Sequence, residues 1–371
     1  MYGDIIQFKK NAFMVEGKIP SSIMKEPDIA NSVIYKVDDI VYVIDTGATT
    51  FFGEKLIEAV ERLRPFRKLI LFNSHCHPDH VGNNNIIKKI EADEKEHYIS
   101  KAGITGLDAT KDFYRKFKNI EQYYDYLNGP SKFPATMMRI LKLTRIINAD
   151  TPVYILVKNT LKKFLPLETS LETITPFEKK VPIDLKISET EWKGWNFNNQ
   201  VFVMQAQGHS PDEVVFFLPE IKTLVLADEA FAFFNCWPDS DSDKVKAVLK
   251  KSIQLFKSKE AEILISGHTH TVMKNDEAIS FLETLLNDYA DFTKQVLLAA
   301  KSNPLGLTIN QIYKKLKSKR DNPTIGKFFD IEFPKMPPFL KTVITSILLE
   351  NGFQTEGKYR KKRFKSNIYR V

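Results

Sequence analysis

The sequence predicts an α/β fold, and three observations predict it. Short apolar runs of strand length alternate with amphipathic helical stretches. That alternation occurs twice, once before residue 100 and again after residue 200. Histidines and aspartates collect at the ends of the predicted strands, where α/β sheets place their sites.

Taken in order, residues 32–46 (SVIYKVDDIVYVIDT) form two β-branched runs around Asp38-Asp39, which predicts a hairpin with a tight acidic turn. GEKLIEAVERLRP then sets Leu56, Ile57, Val60 and Leu63 on one helical face, and Pro65 stops the helix. RKLILFN, 67–73, is short and apolar enough for a buried strand. The polar loop NSHCHPDHVGNN follows, and IIKKIEADE predicts a helix behind it. After residue 200, NQVFVMQA, VVFFLPE, TLVLAD and EILIS (262–266) read as strands. An amphipathic helix is predicted over 243–258 and a long one over 276–300 through Leu282, Leu285, Tyr289, Phe292 and Val296.

The stretch 103–190 differs. Phe113, Phe117, Ile120, Tyr124 and Leu127 recur at helical spacing, and Pro130, Pro134, Pro152 and Pro166 divide it. It reads as a helical insertion, serving either as a lid over a site or as a dimerisation surface.

The 371-residue chain carries a net charge of +8. Residues 301–371 hold sixteen Lys or Arg against five Asp or Glu, a surplus that exceeds the whole charge, so the first 300 residues are net acidic. A boundary near residue 300 follows, with a main domain over 1–300 and a basic one over 301–371. In the basic part GLTINQIYKKLKSK predicts a helix capped by Thr308, PPFLKTVITSILLENGF a second ending at Gly352, and TEGKYRKKRFKSNIYRV a basic β-hairpin. The two cysteines, Cys76 and Cys236, make neither a zinc ribbon nor a disulfide framework. No run of about 18 apolar residues and no basic-then-apolar start is present, so a soluble cytoplasmic protein without a membrane partner is expected.

The chemistry concentrates in His75-Cys76-His77-Pro78-Asp79-His80, which holds three of the seven histidines. His209 and His268 each follow a glycine after a predicted strand, and Asp228 ends another. Imidazole and carboxylate are donors that a borderline divalent ion accepts when a site must stay hydrolytically active. His75, His77 and His209 can share one ion; Asp79, His80 and His268 can hold a second, with Asp228 bridging. A lone HxH would be weak evidence, but this full set is specific. Asp45, in IDTG, is read as orienting a ligand histidine through a hydrogen bond, with Gly47 serving the turn. His270 and His97 read as ordinary residues, and Cys76 alternates away from the ligands. Phe231, Phe233, Phe234 and Trp237 form an aromatic wall one step from Asp228, expected to turn some of its rings toward substrate.

These residues resemble the metallo-β-lactamase superfamily. The matching features are IDTG at 44–47, HCHPDH at 75–80 with Gly82-Asn83 behind it, GHSPDEV at 208–214, LVLADEA, and GHTH at 267–270. The resemblance covers about residues 30–275 and implies an αββα sandwich with two metals in a groove at one edge of the sheets. It implies the same ligand assignment, with Asp228 bridging. The interval from His80 to His209, 129 residues, is longer than the fold needs, and the helical insertion fills it. The basic segment resembles a winged helix, which some hydrolases of this superfamily carry in this position.

The function expected from these features is hydrolysis of an ester, thioester or lactone in a small acyl substrate, with hydroxide on two divalent ions as nucleophile. Zn²⁺ is the first expectation, with iron or manganese as alternatives. Asp79 would orient the water and pass its proton to the leaving group. The rival reading is a phosphodiesterase or ribonuclease whose basic C-terminal domain contacts nucleic acid. An iron-loaded oxygenase would need fewer ligands, and a non-catalytic binding module would not retain all of them. Nothing suggests export, so β-lactam hydrolysis is not expected. The basic segment could equally pack on the catalytic domain or a partner, or recognise a phosphate-bearing substrate, and truncation near residue 300 should spare an esterase's chemistry if the shortened chain still folds.

Overall fold

The computed structural model describes residues 2–19, 28–104, 107, 174–235, 237, 239–269, 271–331, 339–356 and 363–366. Most of the predicted insertion lies outside the described residues, and with it both readings of its role; so do Cys236 and His270.

Two seven-stranded mixed sheets form the centre. The first runs in chain order: β1 (Ile5–Lys9), β2 (Ala12–Val15), β3 (Ser32–Val37), β4 (Ile40–Ile44), β5 (Lys68–Phe72), β6 (Glu94–Ile99) and β7 (Thr175–Pro176). Its first four strands are antiparallel, and β4 to β7 are parallel. The second comprises β8 (Ile183–Ile187), β9 (Thr190–Phe197), β10 (Val201–Gln205), β11 (Val214–Leu218), β12 (Thr223–Ala227), β13 (Ile263–Ser266) and β14 (Met273–Lys274). All its neighbours are antiparallel except β12 and β13.

The apolar runs stack into layers because successive strand residues face opposite ways. Ile70 and Phe72 point into the cluster between the sheets, while Leu69 and Leu71 pack toward helix α1 (Thr50–Glu61). Val214, Phe216 and Leu218 enter the same inter-sheet cluster; Val215 and Phe217 face the opposite side. Both faces of these strands are covered, which accounts for their unbroken hydrophobicity. At the centre, the ring of Phe72 lies 4.7 Å from Phe197, 5.7 Å from Phe216 and 5.8 Å from Tyr42. Removing such a ring typically costs about 3–5 kcal/mol.

Two expectations are corrected, and one hairpin is added. The helix read over IIKKIEADE stops at Lys89, because Ile90 turns extended (φ −80°, ψ 127°) and β6 begins at Glu94. Its charges disguise that strand: Lys68 Nζ lies 3.2 Å from Glu94 and 2.5 Å from Glu96, so the three alternate along the paired strands as ion pairs. The helical insertion does not reach residue 190, since β7, β8 and the start of β9 occupy 175–190. The hairpin β1–β2, which lacks a turn dipeptide the sequence reading would detect, adds two strands to the first sheet.

Two long helices, Ser242–Lys257 and Asn275–Lys301, cover the outer face of the second sheet. Beyond them come helices Ile309–Lys317, Pro323–Ile331 and Phe339–Glu350, then an antiparallel pair, Phe353–Glu356 with Arg363–Ser366. The first is closed by a reciprocal capping box between Thr308 and Gln311. The middle one has no counterpart among the sequence-based expectations. Leu316, Phe328, Ile344 and Leu348 share one apolar cluster with Val248, Leu282 and Phe292, so the C-terminal helices pack directly on the covering helices of the second sheet. Among the described residues no helix is long and apolar enough to cross a membrane.

Candidate metal centre

The polar loop after β5 leads into a short helix, Pro78–Val81, with Pro78 in its first turn, where the ring costs no hydrogen bond. This brings His75, His77, Asp79 and His80 together from one loop. The other three donors arrive singly: His209 after β10, Asp228 after β12 and His268 after β13. The glycines preceding two of them are needed for close approach. A Cβ on Gly208 would meet Glu229 Oε2 at 2.4 Å, and one on Gly267 would meet Asp228 Oδ1 at 2.4 Å.

The seven residues make two clusters, each with donor atoms within 4.8 Å of one another: His75, His77, His209 and Asp228 in one, Asp79, His80, Asp228 and His268 in the other. In the first, His209 Nε2 lies 3.1 Å from His77 Nδ1. Asp228 Oδ2 lies 3.4 Å from His209 Nε2 and 4.0 Å from His75 Nε2. In the second, Asp228 Oδ1 lies 3.2 Å from both His80 Nε2 and His268 Nε2. Asp79 Oδ2 lies 3.4 Å from His80 Nε2 and 3.3 Å from His268 Nε2. Asp228 therefore gives one oxygen to each cluster.

These donors fit a pair of divalent cations. All are imidazole nitrogens or carboxylate oxygens, arranged around common centres. Burial pushes the His80 pKa down, yet the carboxylates of Asp228, Asp45 and Asp79 outweigh it and hold it well above the ordinary value. His268 behaves likewise through Asp228 and Asp28. Burial would raise Asp228, but His268, His80 and His209 hold it well below the usual carboxylate range. Protons thus gather where the site calls for positive charge, which is what bound cations would supply.

Around the donors lies a set of supports. Asp45 Oδ2 accepts from His80 Nδ1 at 2.8 Å, and Asp45 also takes the Ser74 backbone N–H and hydroxyl. Asp212 Oδ2 takes the Cys76 N–H at 2.8 Å, tying the His75 loop to the His209 loop. Asn31 donates to the carbonyls of Ser266 and Thr269 and, through its backbone, to that of Gly267. Asp28 Oδ1 lies 3.4 Å from His268 Nδ1, and burial raises its pKa to about 7 despite the pull of His268. Glu213 and Glu229 are wholly buried below the His209 and Asp228 turns. Of these supports the sequence singles out only Asp45. The two glutamates follow Asp212 and Asp228 in the chain and carry no separate sequence signal.

The aromatic wall divides. The Trp237 ring lies 5.3 Å from that of His77, and the Phe231 ring 5.9 Å from that of His268, so both border the donors. Phe233 and Phe234 do not line the site as expected. Each is 1% exposed, Phe233 packing on Phe328 and Phe234 stacking on Tyr289 at 4.4 Å. His97, in β6, is buried away from the donors, its Nε2 2.6 Å from Asn73 Oδ1.

Residues 26–268 match the family model described as the metallo-beta-lactamase superfamily. No curated protein matches the sequence. Among solved structures, a metallo-beta-lactamase family protein from Thermus thermophilus is similar at 14% identity and a TM-score of 0.59, over 97% of this chain and 100% of that one. A beta-lactamase domain protein from Burkholderia ambifaria is similar at 12% identity and a TM-score of 0.54, over 99% of this chain and 96% of that one. At these identities the likeness speaks for the fold.

Proposed function

The chain belongs to the metallo-β-lactamase superfamily, and on that premise we propose that it is a two-metal hydrolase acting on an ester, thioester or lactone. The observation that carries this reading is Asp228, whose two oxygens face separate donor clusters. His75, His77 and His209 would hold one ion, Asp79, His80 and His268 the other, with Asp228 shared. When bound, such a pair, Zn²⁺ first among the candidates, supplies Lewis acidity and makes water nucleophilic at neutral pH.

The chain's own residues do the rest. Asp79 has a side chain 18% exposed, against 6% for Asp228, so it is the donor carboxylate more open to substrate. Its position suits it to orient the attacking water, take a proton and deliver it to the leaving group. Asp45 holds His80 by Nδ1 and so turns Nε2 toward Asp79 and Asp228. Trp237 and Phe231 flank the donors from opposite clusters and offer an apolar lining for an acyl group.

A second reading, phosphodiester or RNA cleavage, is favoured by one observation. Lys314, Lys317, Lys319 and Arg320 are exposed along and just beyond one C-terminal helix, in a segment we read as a winged-helix-like domain over 301–371.

The test is metal analysis of the purified protein together with a panel of thioesters, lactones, phosphodiesters and RNA at several salt concentrations. The esterase reading expects two ions per chain and turnover of acyl substrates that varies little with salt. It expects His77→Ala to lose metal and activity together. Full turnover by metal-free protein would sink the mechanism, and steeply salt-dependent RNA cleavage would install the rival.

A further inference from the structure

We propose that Glu213 and Glu229 form a reciprocal clamp that fixes His209 against Asp228 and thereby sets the geometry of the metal centre. Both are positioning residues. The inference rests on the two-metal reading above, and concerns side chains that reading does not use.

The clamp is visible in the crossing of its hydrogen bonds. Glu213 lies four residues past His209, but its Oε1 accepts the backbone N–H of Asp228 at 2.9 Å. Glu229 follows Asp228 directly, but its Oε1 accepts the backbone N–H groups of Gly208 at 2.6 Å and His209 at 3.1 Å. Each donor turn is thus held by the carboxylate of the other. The two turns come from different strand ends, and no ladder hydrogen bond joins His209 to Asp228. Their donor atoms nevertheless sit 3.4 Å apart.

Both turns also need holding. Gln207, just before Gly208-His209, has φ +60°, and Ala227, just before Asp228, has φ +44° and ψ −124°. Side chains with a Cβ avoid these conformations, which persist only where surrounding contacts over-determine them. The clamped N–H groups lie immediately after each strained residue. Further bonds close the arrangement, from the N–H of Gln207 to the Glu213 carbonyl at 3.0 Å and from the N–H of Gly267 to the Ala227 carbonyl at 2.7 Å. Two fully buried glutamates would be a costly way to fill space that leucine or methionine could occupy.

Different consequences follow for the two halves of the clamp. Loss of Glu229 frees the turn of His209, a donor to one ion. Loss of Glu213 frees Asp228, which both ions share. Co²⁺ binding to metal-stripped full-length protein, followed by calorimetry and by its visible spectrum, separates them. For Glu229→Ala, one of two affinities is expected to fall about 10–100-fold; for Glu213→Ala, both, each with a shifted spectrum. Glu229→Gln and Glu213→Gln keep an acceptor oxygen and are expected to escape most of that loss. Folded alanine variants with parental affinities and spectra overturn the proposal, as do glutamine variants that bind as poorly as alanine. Should the alanine variants not fold, Glu229→Asp carries the test, since it keeps the carboxyl group and withdraws the acceptor by one methylene. It is expected to lose about tenfold at one ion, and an unchanged affinity and spectrum would refute the clamp. Failure of the parent protein to bind two Co²⁺ would instead refute the two-metal reading itself.

Discussion

The first sheet delivers four donors from a single loop, His75 to His80, whereas the second delivers three from three separate strand ends, His209, Asp228 and His268. A continuous loop keeps its donors near one another through the chain itself, with Asp45 holding both the Ser74 backbone and the His80 ring. Donors on separate strands have no such help. Their relative positions depend on contacts across the fold, and there the structure places Glu213, Glu229, Asp212 and Asn31. The difference teaches that binding and assembling a metal centre are tasks for different residues, the second growing as the donors disperse.

The largest expected effect separates a shared donor from an unshared one. Asp228→Ala removes an oxygen from both clusters and is expected to lose both ions and activity down to the level of metal-free protein. His268→Ala should empty only the Asp79–His80 cluster and leave one ion on His75, His77 and His209. Metal stoichiometry on the two purified variants checks this. Two ions retained by Asp228→Ala would break the picture of a bridging carboxylate.

Next in size is removal of residues 302–371, which should spare an esterase's chemistry as long as the shortened chain still folds. The shared apolar cluster argues that it does not, because Leu316, Phe328, Ile344 and Leu348 each bury fully or nearly so against the second sheet's covering helices. At about 1.5–3 kcal/mol per side chain, their loss rivals the roughly 5–15 kcal/mol that holds a domain folded. The deletion also uncovers Phe233 and removes Glu350, whose carboxylate takes hydrogen bonds from Asn235 and Ser242 beside the site loop. Thermal unfolding of the truncated chain should show no cooperative transition near that of the parent; an unchanged Tm would restore the independent-segment view.

Asp45→Asn probes the aiming of the single-loop donors. Asparagine still offers an oxygen to the Ser74 N–H but can turn an NH₂ toward His80 Nδ1, which favours the wrong tautomer. The ion at Asp79, His80 and His268 is expected to bind about 10–100-fold more weakly, with the other ion little changed. Calorimetric titration with Zn²⁺ measures both, and equal weakening of the two would mean that Asp45 supports the whole loop instead of aiming one ring.

What is legible in the sequence follows the same division. HxHxDH is readable because its donors are neighbours, and Gly-His at two strand ends because the glycine accompanies the ligand. The strands that carry these ends read as strands from their unbroken apolar runs. Glu213 and Glu229 escape recognition, because a carboxylate acquires a clamping role only through a partner on another strand. Phe233 and Phe234 are misplaced for a related reason: a run of aromatics after Asp228 does not say which rings turn toward the site and which toward Phe328 and Tyr289.

The smallest expected effect tests two histidines with equal burial and opposite surroundings. His80 and His97 are both buried. Three carboxylates hold His80 well above the ordinary histidine range, whereas His97 meets the amide oxygen of Asn73 and burial depresses its pKa to about 3. Because the folded pKa of His97 lies below its unfolded value of about 6.5, the unfolded chain takes up a proton that the folded one refuses. The stability His97 contributes is therefore present above about pH 6.5 and declines by about 1.4 kcal/mol for each pH unit below it, down toward pH 3. Replacing it with glutamine, which keeps a donor for Asn73, should remove that slope. Urea unfolding of metal-stripped parent and His97→Gln protein between pH 7 and pH 5 isolates the difference, since every other histidine is common to both. Parallel stability curves would show that His97 titrates alike in the folded and unfolded chain, and that burial without carboxylates is not what distinguishes it from His80.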